Sequence, residues 1–307
     1  MIWVLEDPRA GTAAQALGIA ERLGLPFRPV PLRFGPLARL PWPWPTLAGL
    51  ADRTAFVPPW PGLVISAGRR SAPVARWLRQ RGARTVHAMR PGFGADDFDL
   101  LVLGAHDHPA PAPNTLVIQG AAHRLTPAAL AAAPAAFPVF AALPRPIVTL
   151  LLGGPVRGEG MDPARAAGIA REAAGLGASL LVTASRRTGT AATEAVAGAL
   201  KNLPHVLYPW GGAGANPYLA MLAMADRLVV TGDSISMVSE ALMTEAPILV
   251  ADPGGLGARH QAMIESLVTA GLAARLGGPL PPPRAARDET ARITAEIRAR
   301  GWAPGGA

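Results

Sequence analysis

The feature that most constrains this chain is an alternation of short apolar runs with helical segments, which starts at the first residues and restarts near residue 147. IWVLE at residues 2–6 reads as a buried strand, and TAAQALGIAERLG after it carries apolar residues at helical spacing up to Gly24. LVISAG, TVHAM, FDLLVLG and TLVIQG continue as short strands, with a helix in SAPVARWLRQRG. Parallel neighbours need a crossover connection, so this order predicts a parallel sheet covered by helices.

One segment breaks the rhythm. After the strand FRPVPL, the stretch FGPLARLPWPWPTLAGLADRTAFVPPWPG holds repeated prolines and three of the seven tryptophans, and it reads as an irregular excursion.

Residues 127–146, PAALAAAPAAFPVFAALPRP, are rich in alanine and proline and precede the fresh strand IVTLLLGG, which places a domain junction there. The second half then reads strand 147–152, helix 162–175, strand SLLVTAS, helix 190–200, strand HVLYPW, helix 217–224, strand RLVVTG, helix 236–244 and strand PILVAD. The expectation is an α/β fold of two Rossmann-type, doubly wound parallel-sheet domains facing a cleft, with residues 1–145 in the first and 146–285 in the second. A final helix within 286–302 returns to the first domain, and the tail after Trp302 is expected to be disordered.

Composition agrees and excludes several classes. A chain of 307 residues, 50% hydrophobic and 16% charged, is globular and long enough for two cores. It has no cysteine, which removes disulfides, thiolate metal sites and cysteine nucleophiles and fits a reducing cytosolic compartment. MIWVLEDPRAG begins in a strand, without the basic stretch and apolar core of a secretory signal, and reads as a mature N-terminus. The most apolar run, LVVTGDSISMVSEALMTEAPILV, is broken by Asp233, Glu240, Glu245 and Pro247, so it does not reach the roughly 18 residues of a spanning helix. The net charge of +8, nearly all arginine, suits small-molecule phosphates or an anionic lipid surface, and equally an arginine-biased composition. Aromatic residues make up only 5% and no zinc-finger or RNA-recognition signature occurs, which sets nucleic acid aside.

Open parallel sheets bind ligands beyond the carboxyl ends of their strands, so the loops there are the candidates. After RLVVT come Gly232, Asp233, Ser234 and Ser236, any of which caps the helix starting near Met237 and leaves amides for an anion. Glu240 lies one turn beyond Ser236, placed to accept hydrogen bonds from a vicinal diol such as ribose. The same residues describe a well-capped helix with no ligand. TASRRTG sets Ser185, Arg186, Arg187 and Thr188 after another strand, with Arg186 the preferred diphosphate contact or simply part of a solvated turn. Gly153 opens a turn that lets backbone approach a phosphate or merely reverses the chain. YPWGGAGANPY offers Trp210, Asn216 and Tyr218 around a flat base, or is a linker loop. In the first half, EDPRAGTAAQ contributes Asp7, Arg9, Gly11, Thr12 and Gln15, and SAGRRSAP contributes Ser66, Gly68, Arg69 and Arg70.

No GxSxG elbow, GxxxxGK[ST] phosphate loop or GxGxxG after the first strand is present, which removes the main support for serine hydrolases of that fold, P-loop kinases and ordinary dinucleotide dehydrogenases. The six histidines match no helical metal motif, so no metal and no cofactor are expected. GAHDHP places His106 and Asp107 after a strand, where a general base can sit or a solvated polar loop can form.

Taken together, WVLEDPRAGTAAQ, LVISAGRRSAPVARWLR, LLLGGP, TASRRTG, NPYLAMLAMADRLVVTGDSISMVSEA and the final helix resemble the elongated-mitochondria fission family, a bacterial and plant group classed among glycosyltransferases. The resemblance runs over most of the chain and implies the two-Rossmann-domain architecture called GT-B. In such enzymes the second domain grips the nucleotide sugar and an acidic residue early in a helix holds the ribose, a role the match carries onto Glu240. Lipid-linked peptidoglycan transferases, which such enzymes resemble, have a candidate histidine base in the first glycine loop, where this chain has Thr12. Some members carry an epimerase label, and the plant relatives are linked to organelle fission.

The leading expectation is therefore a glycosyltransferase that takes a nucleotide-diphosphate sugar in its second domain, with Asp7 or Asp107 as base and an acceptor over the first domain's loops, lipid-linked or of the cell envelope. The alternatives are a sugar-nucleotide epimerase and a noncatalytic scaffold. Leu37, Leu40, Trp42 and Trp44 beside Arg33 and Arg39 give the excursion a membrane-facing reading as well as a packing one. The expected location is the cytoplasm, peripheral to the inner face of the membrane.

Overall fold

The computed structural model describes residues 1–155 and 160–303. Contacts divide it into a unit of residues 1–124 and 288–307 and a unit of residues 125–287.

In the first unit, strands β1 (Ile2–Glu6), β2 (Phe27–Pro31), β3 (Leu63–Ala67), β4 (Arg84–Ala88), β5 (Leu100–Gly104) and β6 (Thr115–Ile118) are joined by α1 (Ala10–Leu23) and α2 (Ala72–Arg79). All pairings are parallel, in the order β2-β1-β3-β4-β5-β6. The order reverses between β1 and β3, so their loops open onto the crevice where ligands of such sheets bind. β1, β3 and β5 read as apolar runs because both faces are covered. One face packs on Ile19 and Leu23 of α1 and on Ile293 and Ile297 of the last helix, Glu289–Ala299. Asp288 caps that helix by accepting from Ala291 N, and its carboxylate pairs with Arg22 of α1. Ala303 is buried in the same core; residues 304–307, which make up nearly all of the tail expected to be disordered, lie outside the described residues.

The proline-rich excursion is a loop with a clipped neck. Phe34 bridges Leu50 antiparallel, Gly35 N donates to Gly49 O at 3.0 Å, and Ala51 N donates to Arg33 O at 2.8 Å. Leu50 and Phe56 are buried, and Trp60 and Trp77 pack edge-on, with Trp60 also edge-on to Trp3. Burial of each such side chain stabilises by about 1.5–3 kcal/mol, enough to fix the return limb of a loop with little regular structure.

The second unit repeats the plan with β7 (Ile147–Leu152), β8 (Ser179–Ala184), β9 (His205–Tyr208), β10 (Arg227–Thr231), β11 (Ile248–Ala251) and β12 (Ala274–Arg275). Their parallel order is β12-β11-β10-β7-β8-β9, reversing between β7 and β10. Its helices are α3 (Pro127–Ala132), α4 (Pro163–Ala174), α5 (Thr190–Leu200), α6 (Tyr218–Met224), α7 (Ile235–Ala241) and α8 (Ala258–Thr269). The alanine- and proline-rich stretch read as the junction groups with this unit, because Phe140 is buried beside Ile147 and Leu181. The helix α8 and the short β12 have no counterpart in the sequence reading. Met263, Ile264 and Leu267, spaced i, i+1 and i+4 and followed by a left-handed Gly271, were the available signal.

Candidate functional site

In the second unit, strand order alone brings the ends of β7 and β10 side by side, and the side chains there lock together. Thr231 Oγ1 accepts from Gly153 N at 2.7 Å, and the Asp233 carboxylate accepts from Gly154 N at 2.7 Å. Arg187, from the loop after β8, pairs with Asp233 at 3.2 Å and donates to Gly154 O at 2.6 Å. Thus Asp233, in the loop after β10, is buried against the turn that follows β7, where its carboxylate meets one guanidinium and one amide. The Gly153–Gly154 turn needs glycine, since a Cβ on Gly153 would collide with the Asp233 carboxylate and one on Gly154 with Arg187 O.

His260, in the first turn of α8, joins this cluster. Burial lowers its pKa, opposed by the Asp233 charge and assisted by Arg187 and Arg259, so the ring stays neutral near pH 7. The sequence reading missed it because no metal motif includes it and α8 itself was not recognised.

The loop residues after β8 divide into two roles. Thr188 is fully buried: its hydroxyl donates to the carbonyls of Leu152 and Gly153 and accepts from Ser185 N at 2.9 Å. It fastens the loop to β7 and has no face left for a ligand. Arg186 is exposed and has no ion pair among the described residues, whereas Arg187 is the structural member of the pair.

Beside this cluster lies a pocket of about 350 Å³, walled by Ser185, Tyr208, Trp210, Asn216, Tyr218 and Met237. Asn216 is set by its own turn, accepting from Tyr218 N at 3.0 Å, and Tyr208 is held by donating to Gly212 O at 2.8 Å. Trp210 is 65% exposed, an indole left without core packing. It also borders a second hollow of about 370 Å³ with Ser185 and Arg186 at its edge.

Ser234 caps α7 and accepts from Met237 N, which uses its hydroxyl for the helix; Ser236 is half-buried in the first turn. Glu240 lies one turn further and accepts the Tyr218 hydroxyl. Burial raises the Glu240 pKa and the Tyr218 bond pulls it back, while burial and the Glu240 charge push the Tyr218 pKa well up. The wall of the pocket is thus Tyr218, with Glu240 behind it.

In the first unit, the crevice between β1 and β3 is closed by an ion pair. Arg70 grips both oxygens of the buried Asp7 at 2.6 and 3.2 Å, and Arg9 N donates to the same carboxylate at 2.8 Å. Both oxygens of the Asp7 carboxylate are thus taken up by the Arg70 guanidinium and the Arg9 amide. Asp107 is buried in the turn after β5 and lies 3.4 Å from the Arg90 guanidinium. Ser66 stays inside β3, fully buried and bonded to His87 Nδ1 at 2.8 Å. Burial lowers the pKa of His87 to about 3, so it is a neutral core ring stacked on Phe98. Gly68 has a φ of +80°, and a Cβ there would press on Thr12. Arg9, Gly11 and Arg69 are exposed, and Gln15 is half-buried on α1.

Among the described residues, no group of three or more His, Cys, Asp or Glu side chains is placed to hold a metal ion, and no helix is long and apolar enough to cross a membrane.

The comparisons with known proteins match this geometry at the level of fold. UDP-GlcNAc 2-epimerase from Methanocaldococcus jannaschii superposes with a TM-score of 0.57 at 12% identity, covering 97% of this chain and 99% of that one. MurG from Acinetobacter baumannii gives 0.53 at 13% identity, covering 98% and 91%. Spinosyn forosaminyltransferase SpnP gives 0.56 at 13%, covering 98% and 92%. The fold is therefore GT-B-like, with two Rossmann-type units.

Among sequences, the mitochondrial fission protein ELM1 of Arabidopsis thaliana is 27% identical over 280 residues, 79% of this chain. The chain spans 65% of that protein's length. An uncharacterized protein of Rickettsia prowazekii (strain Madrid E) is 26% identical over 324 residues, covering 87% of this chain and 88% of its own. The family described as Mitochondrial fission ELM1 matches residues 10–301, and the chain belongs to that family.

Proposed function

We propose that the second unit binds a nucleoside-diphosphate sugar and that the protein transfers the sugar to an acceptor held by the strand-end loops of the first unit. The observation that carries this reading is the pocket of Ser185, Tyr208, Trp210, Asn216, Tyr218 and Met237 beside the Gly153, Arg187 and Asp233 cluster. Aromatic rings suit a flat base, and the exposed Arg186, which has no ion pair among the described residues, suits a diphosphate through charge-assisted bonds. Glu240, steadied by Tyr218, takes the ribose hydroxyls by sharing its carboxylate with them. Arginines near the phosphates offset leaving-group charge as the bond to the sugar breaks. The fold is shared by proteins named for UDP-GlcNAc epimerisation and for sugar transfer, and fold does not decide between them.

Two features direct the choice of catalytic base. Asp7 is paired with Arg70 and Asp107 with Arg90, and Asp107 also has His106 beside it, which makes Asp107 the base in this reading. The test is incubation with labelled UDP-, GDP- and CMP-sugars, with and without cell-envelope lipid extract as acceptor. Acceptor-dependent nucleotide release supports transfer, and an isomeric sugar nucleotide supports epimerisation. Absence of any thermal stabilisation by nucleotide, at concentrations that saturate a micromolar site, sinks both.

A further inference from the structure

The clipped excursion of the first unit presents a surface that the sugar-nucleotide reading does not use. Its neck is held by the Phe34–Leu50 bridge and by Leu50 and Phe56 in the core, so the tip between them faces outwards. There Leu37, Leu40 and Trp44 are 48%, 52% and 57% exposed, and Phe93 from a neighbouring turn is 50% exposed. They are contiguous: Trp42 donates to Leu37 O at 2.9 Å and meets Trp44 edge-on, while Leu40, Trp42 and Phe93 line one pocket of about 130 Å³ with Arg69. Large apolar side chains gathered at the tip of a pinned loop are costly in water and mark a docking surface.

Charge identifies the partner. Residues 27–60 carry four arginines against one aspartate, and that aspartate is engaged by Thr54. Arg39 and Arg69 have no acidic partner among the described residues. Tryptophan at the rim, leucine at the tip and guanidinium groups beside them are the set that an interface of lipid headgroups and acyl chains accepts, since indole and arginine each pair an apolar body with a polar end. We propose that this surface seats on a bilayer of anionic lipid, with Leu37, Leu40 and Trp44 entering the headgroup layer and Arg39 and Arg69 meeting lipid phosphates.

The experiment uses the full chain with vesicles of phosphatidylcholine, alone or with about 30 mol% phosphatidylglycerol. Co-sedimentation is expected with the anionic vesicles and to weaken at high salt, and brominated acyl chains are expected to quench tryptophan emission. Arg39→Ala with Arg69→Ala should weaken partitioning about 30-fold, since each basic residue near such a surface contributes about fivefold. Leu40→Asp with Trp44→Asp should abolish partitioning and the quenching; both sites are exposed, so an unchanged melting temperature certifies the fold. Failure to partition onto anionic vesicles overturns the proposal, as does equal partitioning of the Leu40 and Trp44 variant. Sedimentation that shows self-association lost in that variant, with no vesicle binding, would assign the surface to a second copy and also overturn it. Nucleotide binding by the same variants keeps this outcome separate from the proposed activity.

Discussion

Tyr218→Phe removes one hydroxyl and tests whether the pocket wall and Glu240 act as a unit. In the native protein that hydroxyl donates to a carboxylate whose pKa burial has raised, so the bond favours the ionised form against its surroundings. Hydrogen bonds to charged groups contribute about 1.5–3 kcal/mol, and the lower end applies because both side chains keep some exposure. In a unit of this size 1 kcal/mol corresponds to about 2–4 °C, so the variant should melt about 3–6 °C lower at pH 8.

The pH dependence follows from the direction of the shift. The folded pKa of Glu240 lies above the ordinary 4.5, so the native state holds a proton that the unfolded chain has already released. Its contribution to stability is fully present below 4.5 and is lost as pH rises through the folded pKa. Tyr218 limits that loss, so the deficit of Tyr218→Phe should grow with pH and shrink towards pH 4.5. Calorimetry on the parent, Tyr218→Phe, Glu240→Gln and the double variant reads this directly. A melting temperature for Tyr218→Phe within about 1 °C of the parent at pH 8, or a deficit independent of pH, refutes the reasoning.

The other predictions are narrower. Arg186→Ala should weaken nucleoside diphosphate binding by titration calorimetry about tenfold or more without moving the melting temperature, whereas Arg187→Ala should lower it by leaving Asp233 buried without its counter-charge. His87 has its pKa depressed to about 3, so stability from its neutral ring is present above 6.5 and falls as pH drops towards 3, by about 1.4 kcal/mol per unit. His87→Leu should flatten that slope in acid titration followed by circular dichroism; an unchanged slope would count against it. Asp7→Asn should destabilise the first unit by about 2 kcal/mol in urea, a value discounted because Arg70 is partly exposed, and an activity loss with no change in stability would return Asp7 to catalysis.

Much of the fold was legible because apolar periodicity and crossover connections are local properties. The strands at 2–6, 63–67, 147–152 and 227–231 stand where apolar runs place them, and α1 ends at Gly24, where the helical spacing stops. Helix α8 was less legible, since its apolar face is sparse and its start has no side-chain cap. Loops were legible as loops but not in their inner partition. Arg186 and Arg187 are neighbours of identical chemistry, and the position of the Gly154 carbonyl and the Asp233 carboxylate makes Arg187 structural while Arg186 stays exposed. Ser66 and Thr188 show the same limit, since a hydroxyl near a strand end bonds a ligand or the core according to which way the chain turns.

The sequence by itself determined that TGDSISMVSEA follows a strand, begins a helix and carries Asp233, Ser234, Ser236 and Glu240 together, because spacing along one chain is fixed by its covalent order. Tertiary structure decided what each of them faces. The reversal of strand order between β7 and β10 sets Asp233 against the Gly154 amide, 79 residues away, and the packing of α6 on the same sheet brings Tyr218 to Glu240. Those encounters depend on which strands become neighbours, a choice made by burial of the whole sheet and not by any segment within it.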